Sequence, residues 1–316
     1  GASRYKGRDP GDVFTGIGYA PAALTEEEAT PPLAPSTDIL DIPDWIWPDF
    51  EASLGADAKA ICYELRQRAP IGLRCNLRAI SREALIAELA ASGIEATQSE
   101  LSLSALEITQ PIRNLSNLPQ FKDGKFELQD PGSQALADMV PLHSGQSLLD
   151  YCAGGGGKSL AIAARVEGEF WAYDIASQRL KDLPLRAERA GVEIKIWDHN
   201  SRHMPTAFDT VLVDAPCSGT GAWRRSPDNR WRLTRENLQE IEALQSQIVE
   251  SACQYVKPGG YLVYGTCSLL DVENSAKTQQ FIGENSEFSL EKSKTWTPLD
   301  GCDGFYCAVL RRNKVK

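Results

Sequence analysis

Two apolar runs each lead into a cysteine set among small, turn-forming residues: Thr210-Val-Leu-Val-Asp214-Ala-Pro-Cys217-Ser-Gly-Thr-Gly221 and Gly260-Tyr-Leu-Val-Tyr-Gly265-Thr-Cys267-Ser268. A thiolate is a strong nucleophile, and two thiols delivered to one crevice suit covalent chemistry. A second constellation is Asp150-Tyr-Cys152-Ala153-Gly154-Gly155-Gly156-Gly157-Lys158-Ser159. Glycines at such a turn let backbone N–H groups and a helix N-terminus approach a ligand closely. Asp150, Asp174, Asp198 and Asp214 each close an apolar run. One terminal aspartate is commonly just a helix cap, whereas four in succession point to a polar ligand site.

The glycine loop admits two ligands. Gly157-Lys158-Ser159 with the later Val-Leu-Val-Asp214 is like a phosphate-binding loop with its acidic strand, but that motif needs glycine where Cys152 stands. Asp174 lies 24 residues beyond Asp150, about where a ribose-binding carboxylate sits in dinucleotide-type sites. A nucleoside cofactor without a long phosphate tail accounts for both features.

Residues of this kind must be held by strands. Runs rich in Val, Leu and Tyr over about five residues read as buried strands, here Ser147–Asp150, Phe170–Asp174, Glu193–Trp197, Thr210–Asp214 and Tyr261–Gly265. Helical stretches alternate with them, which predicts an α/β fold with a doubly wound sheet, its ligand crevice at the carboxyl ends of the strands. The clearest helix runs Thr234–Tyr255, with Pro258-Gly-Gly260 as its stop.

Upstream, residues 1–36 read as a flexible tail or linker and 37–69 as a small helical region able to dock on something larger. Residues 70–127 read as a smaller α/β unit: a strand from Ile71, a helix capped by Ser81 and stopped at Gly93, a strand at Ala105–Thr109, and a hairpin-like turn at Asp123-Gly124. The larger strand–helix domain, 128–316, follows.

The chain has 316 residues, 42% of them apolar, enough for two folded units. No apolar run is long enough to span a bilayer, and the polar Gly1-Ala-Ser-Arg start is not expected to act as a signal peptide. Eight irregularly spaced cysteines fit reduced thiols in a cytoplasmic protein. Cys62, Cys75 and Cys253 read as small buried apolar residues. No metal site is expected: Cys302 and Cys307 lack a second pair, and His199 and His203 lack further ligands. Net charge is −10, of which −7 falls in residues 1–60. Against that background Arg224, Arg225, Arg230, Arg232 and Arg235 crowd into twelve positions with Trp223 and Trp231. Basic residues interleaved with aromatics suit single-stranded nucleic acid, although a solvated loop has the same composition.

The sequence resembles the Sun/Fmu family of S-adenosylmethionine-dependent RNA cytosine carbon-5 methyltransferases. The matching residues are Asp150–Lys158, Asp214–Gly221, Arg224-Arg-Ser-Pro-Asp228 with Trp231, and Gly265-Thr-Cys-Ser268 followed by Glu273-Asn274, within roughly residues 70–316. The resemblance implies a Rossmann-like methyltransferase sheet preceded by an RNA-recognition-like domain. It places S-adenosylmethionine on Cys152, Ala153, Gly154, Gly155, Gly156, Gly157 and Lys158, with Asp174 at the ribose, Asp198 at the adenine, and Arg179 in the same site. Asp214 falls between cofactor and target base. By the same resemblance Cys267 is the nucleophile and Cys217 assists breakdown of the adduct, while the basic-aromatic pattern makes Arg224, Arg225, Arg230 and Trp231 the RNA-binding candidates. Lys158 and the Arg224/Arg225 segment are candidates for the positive potential a thiolate needs. The family's usual Ala-Pro-Gly-Gly-Lys is altered here to Ala153-Gly154-Gly155, which should change loop stiffness rather than remove cofactor binding. Ribosomal RNA, small-subunit RNA first, is what bacterial relatives suggest, and a monomer is the default expectation. The alternatives are a DNA cytosine methyltransferase using Cys217, a nucleotide hydrolase, and a non-catalytic RNA-binding factor on the same fold.

Overall fold

The computed structural model describes residues 9–18, 20–26, 40–197 and 206–314. The chain divides into two compact units, Gly1–Asp41 and Ile42–Lys316. The described part of the first contains one short 3-10 helix, Pro10–Asp12. The second contains both sheets.

The first sheet has four antiparallel strands, β1 (Ile71–Cys75), β2 (Thr97–Gln98), β3 (Ala105–Ile108) and β4 (Phe126–Leu128), in the order β2-β3-β1-β4. Its helix, Arg82–Ala91, is capped as the sequence implies: Ser81 accepts a hydrogen bond from the Ala84 amide, and Gly93 adopts φ +77° just beyond the end. Leu85 and Leu89 from this helix pack on Leu73, Leu106, Ile108 and Phe126. The expected hairpin at Asp123-Gly124 is absent. A one-turn helix, Pro119–Lys122, precedes Gly124, and β4 pairs with β1 instead. Gly124 is needed twice over, for φ +70° and because a Cβ there would lie 1.8 Å from the Arg189 carbonyl.

The second sheet has seven strands: β5 (Ser147–Asp150), β6 (Glu169–Ala172), β7 (Lys195–Ile196), β8 (Phe208–Asp214), β9 (Val256–Thr266), β10 (Phe288–Trp296) and β11 (Phe305–Arg312). Their order is β10-β11-β9-β8-β5-β6-β7. Neighbours among β5–β9 are parallel, and β11 is antiparallel to both β9 and β10. This is a Rossmann-like sheet, doubly wound. The chain runs outward from β5 through β6 to β7, then returns to build β8 and β9 on the other side. Order therefore reverses between β5 and β8, where open α/β sheets bind ligands. Asp150 and Asp214 end those two strands.

Two segments differ from their sequence reading. The long helix stops at Cys253, and Pro258-Gly-Gly260 lies inside β9, where the register against β8 shifts. Proline cannot donate to a ladder, so it sits where pairing is already interrupted. Strands β10 and β11 were not evident: β10 is exposed at seven successive positions and shows no apolar alternation.

The helices Trp47–Leu54 and Ala58–Glu64 do dock, and their target is the Arg-rich segment. Phe50 stacks on Trp223 with centroids 5.5 Å apart. Arg230 donates to the Leu65 carbonyl at 3.1 Å, and Arg235 to that of Trp45 at 2.8 Å.

Candidate active site

Strands β8 and β9 run parallel with Asp214 opposite Gly265, so both cysteine-bearing loops leave the sheet on the same side. Cys217 Sγ and Cys267 Sγ lie 3.3 Å apart. The turn between the loops is tight: the Gly221 amide donates to the Cys267 carbonyl at 3.0 Å, and a Cβ on Gly221 would come within 2.3 Å of the Gly304 carbonyl. The hydrogen bond to Cys267 and burial hold the Cys217 thiol well above its usual range.

Lys158 reaches this point from the first turn of the helix Gly157–Arg165, its Nζ 2.6 Å from Asp214 Oδ2. Burial opposes the ammonium, but Asp214, Cys267 and Asp150 outweigh it and keep its pKa above the lysine norm. Lys158 is therefore the cation beside the thiol pair. The other expected source is spent elsewhere, because Arg224 Nε binds Asp303 at 2.6 Å and Arg225 is bound by Asp303 and Asp130.

The glycine loop is held from several sides. The Gly154 amide donates to Asp174 Oδ2 at 2.9 Å, Ala176 N donates to Asp174 Oδ1 at 2.9 Å, and the mostly exposed Arg179 pairs with Asp174 at 3.1 Å. Gly156 has φ +76°, and a Cβ there would strike Leu183 at 2.2 Å. Arg74, from the first sheet, donates to the Gly157 carbonyl at 2.7 Å and to Gln129. Arg186 donates to the Gly155 carbonyl and pairs with Glu127. Asp150 accepts from Ser159 Oγ at 2.6 Å, while its Oδ1 is buried without a hydrogen-bond partner. Burial pushes the Asp150 carboxyl up to about 7.

Between these groups lies a cavity of about 720 Å³. Asp150, Asp174 and the loop Cys152–Gly155 line one part, and Lys158, Asp214, Cys217 and Cys267 another. This volume suits a nucleoside-sized ligand, and the unpartnered Asp150 oxygen is an acceptor for one of its donors. The fit to a nucleoside cofactor rests on that acceptor, the buried Asp174 carboxylate and the loop amides.

Sequence reasoning missed part of the wall. Leu244, Gln247, Ile248 and Ser251 of the helix Arg235–Cys253 face the cavity, and their apolar members had the spacing of an ordinary core stripe. Ile175, next to Asp174, is 91% exposed at the rim. Asp198, His199 and His203 lie outside the described residues.

The Arg-rich segment needs correction. Arg230 is only 1% exposed, packed over Trp223 and bonded to Leu65, and the Arg224 side chain is 4% exposed in its pair with Asp303. Both serve the interior rather than facing a nucleic acid. The charge pattern could not reveal direction, because the buried carbonyl and carboxylate that capture these arginines are remote in sequence. Trp231, 58% exposed, and Arg225 in part still present a surface.

A family model described as 16S rRNA methyltransferase RsmB/F matches residues 137–310. The chain belongs to the RsmB/F family. A second model, the RsmF/B-like ferredoxin-like domain, matches residues 42–114, which takes in the docked helices and β1–β3. Among RsmB/F relatives, ribosomal RNA small subunit methyltransferase B of Erwinia tasmaniensis is 32% identical over 282 residues, covering 85% of this chain and 66% of its own length. The probable ribosomal RNA small subunit methyltransferase B of Synechocystis is 30% identical, with 82% of this chain and 60% of its own length covered. The chain thus spans about two thirds or less of these relatives. Among solved structures, that of PH0851 superposes with a TM-score of 0.83 at 27% identity, covering 91% of this chain and 71% of that one. NSun6 from Pyrococcus horikoshii with SFG has the same fold, with a TM-score of 0.77 at 20% identity, covering 86% of this chain and 99% of that one.

Proposed function

We propose that this protein is a methyltransferase that moves a methyl group from S-adenosylmethionine to carbon 5 of a cytosine in small-subunit ribosomal RNA, through a covalent cysteine adduct. The observation that carries this reading is the pair of sulfurs 3.3 Å apart at one end of a cavity whose remainder has nucleoside-binding chemistry. Membership of the RsmB/F family supports the RNA substrate.

Carbon 5 of cytosine is too weak a nucleophile to take a methyl group unaided. In this reading Cys267 Sγ, as thiolate, adds to carbon 6 and drives electron density onto carbon 5. Bound S-adenosylmethionine supplies the electrophilic methyl that carbon 5 attacks. Water takes the carbon-5 proton, the freed electron pair re-forms the carbon 5–carbon 6 double bond, and Cys267 leaves carbon 6 as thiolate; Cys217 assists that departure through its hydrogen bond to Cys267 Sγ. In this reading Asp174 takes the ribose hydroxyls and the Cys152–Lys158 loop the methionine part, with Arg179 at the rim. Asp214 sits between this loop and the thiols and is engaged by Lys158. The Lys158–Asp214 pair supplies a hydrogen bond that stabilises the adduct ring. Trp231 and Arg225 contribute to the RNA path, with the target base taken out of its stack.

Among the described residues no helix is long and apolar enough to cross a membrane. The reading places a monomer in the cytoplasm. Transfer of radiolabelled methyl to unmodified total RNA, with DNA as control, tests it. Label recovered as 5-methylcytidine is expected; label confined to DNA, or intact RNA binding with no transfer, refutes it.

A further inference from the structure

Behind the two sulfurs lies a carboxylate with no part in the scheme above. Glu273 is 0% exposed and stands at the end of the one-turn helix Asp271–Glu273. Its Oε1 accepts from the Ser218 amide at 2.8 Å and Gln245 Nε2 at 3.0 Å, and its Oε2 from Ser218 Oγ and Ser268 Oγ, both at 2.5 Å. Four donors converging on two oxygens is the pattern made by a charged carboxylate. Among the described residues no cation lies within ion-pair distance of it.

The two serines follow directly after the two cysteines in sequence. One carboxylate therefore joins the loop Cys217-Ser218 to the loop Cys267-Ser268. Ser268 Oγ also meets Thr220 Oγ1 at 3.1 Å, and Asn274 donates to the Ser268 carbonyl at 2.9 Å. Tyr264 Oη anchors the Glu273 carbonyl at 2.7 Å.

We propose that Glu273 is a positioning residue for the thiol pair: it ties both sulfur-bearing loops to one buried negative charge and so gives the two sulfurs unequal roles. The cation at the site, Lys158, stands with Asp214 and bears on Cys267. The anion bears on Cys217: Cys267 and burial come first in raising that thiol, and Glu273 adds to them. The charged and titratable groups around the pair are Lys158, Asp214 and Asp150 toward Cys267, and Glu273 and Tyr264 toward Cys217, with Tyr306 and Cys152 behind Tyr264 and with Glu242 and Lys277 beyond Glu273. A cation on one side and an anion on the other polarise the pair. Cys217 keeps its proton and hydrogen-bonds to the sulfur that attacks.

The inference rests on the methyltransferase reading for what the sulfurs do, but its test needs neither cofactor nor RNA. The rate of Cys217 alkylation by iodoacetamide, read by mass spectrometry from pH 6.5 to 11.5, is compared in full-length Cys267→Ser and Cys267→Ser/Glu273→Gln. Glutamine keeps the shape and removes the charge. The midpoint for Cys217 should fall by about one pH unit, with roughly a tenfold faster rate at fixed pH below it. An unchanged midpoint in a folded double variant overturns the proposal. Midpoint, unlike rate, does not depend on how easily reagent enters. Should the double variant not fold, Cys267→Ser/Ser218→Ala takes its place, removing the hydroxyl that ties the Cys217 loop to Glu273. A shifted Cys217 midpoint then supports the proposal, and an unchanged one overturns it. A lowered midpoint in a protein that transfers no methyl group leaves this inference standing and removes only the methyltransferase reading.

Discussion

Replacing Asp150 with asparagine should flatten the pH dependence of folding stability. Asp150 is fully buried at the end of β5, and burial pushes its carboxyl up to about 7 despite the Ser159 hydrogen bond, with Asp214 adding to the rise and Lys158 opposing it. An acid whose folded-state pKa is raised binds its proton more tightly when folded. Its contribution is whole below the unfolded value of 3.8 and is lost as pH rises through about 7. At about 1.4 kcal/mol per pH unit, the span corresponds to a loss of about 4 kcal/mol between pH 4 and pH 8. Asparagine can keep the Ser159 bond and cannot ionise. Urea unfolding of both full-length proteins at intervals from pH 4 to 8 gives the comparison. The carboxyls of Asp130 and Asp138 are also raised, with the same sign, but occur in both proteins and cancel in the difference. Wild type should lose about 4 kcal/mol more than the variant over this range. Parallel curves would refute the reasoning, and a steeper variant curve would reverse its sign.

Four further outcomes follow. Cys267→Ser should abolish methyl transfer while Cys217→Ser accumulates covalent protein–RNA adduct on denaturing gels; adduct from the first and none from the second would exchange the two roles. Gly124→Ala should cost about 3 kcal/mol or more in urea unfolding, because the added methyl meets the Arg189 carbonyl at 1.8 Å on a backbone already at φ +70°; a change below about 0.5 kcal/mol would show that this junction yields freely. Trp231→Ala should weaken single-stranded RNA binding by about 1–3 kcal/mol with an unchanged melting temperature. Arg230→Ala should instead lower the melting temperature, since its guanidinium is buried against Trp223 and Leu65; equal losses of RNA affinity with intact stability in both variants would put Arg230 back on the surface.

What could be read without coordinates was whatever repeats locally. Each of β5, β8 and β9 is an apolar run ending in a polar or small residue, so the carboxyl-end placement of Asp150, Asp214 and Cys267 followed from pattern alone. Ser81 and Thr234 marked helix starts for the same reason: a cap bond spans three residues. Long-range pairing was silent. Arg230 looks like any exposed arginine until Leu65, far back in the chain, supplies a carbonyl. Glu273 carried a motif match but no role, because its partners come from three separate segments. β10 hid for a different reason, as an edge strand with lysines and polar residues on both faces has no apolar period to betray it.

The arginine that joins the small sheet to the glycine loop bears on how the chain can be cut. Arg74 on β1 is buried, donates to Gly157, and burial lowers its guanidinium to about 10 with Glu127 partly compensating. From the same sheet, Glu127 holds Arg186 and Arg189 of the helix Leu183–Ala190. A fragment beginning at residue 131 would keep every residue of the seven-stranded sheet and still lose this seam. Its loop carbonyl would lack a donor, and two arginines would face each other without their shared acid. The small sheet is thus a foundation for the larger one, not a detachable module, and the two are expected to unfold as a single cooperative step.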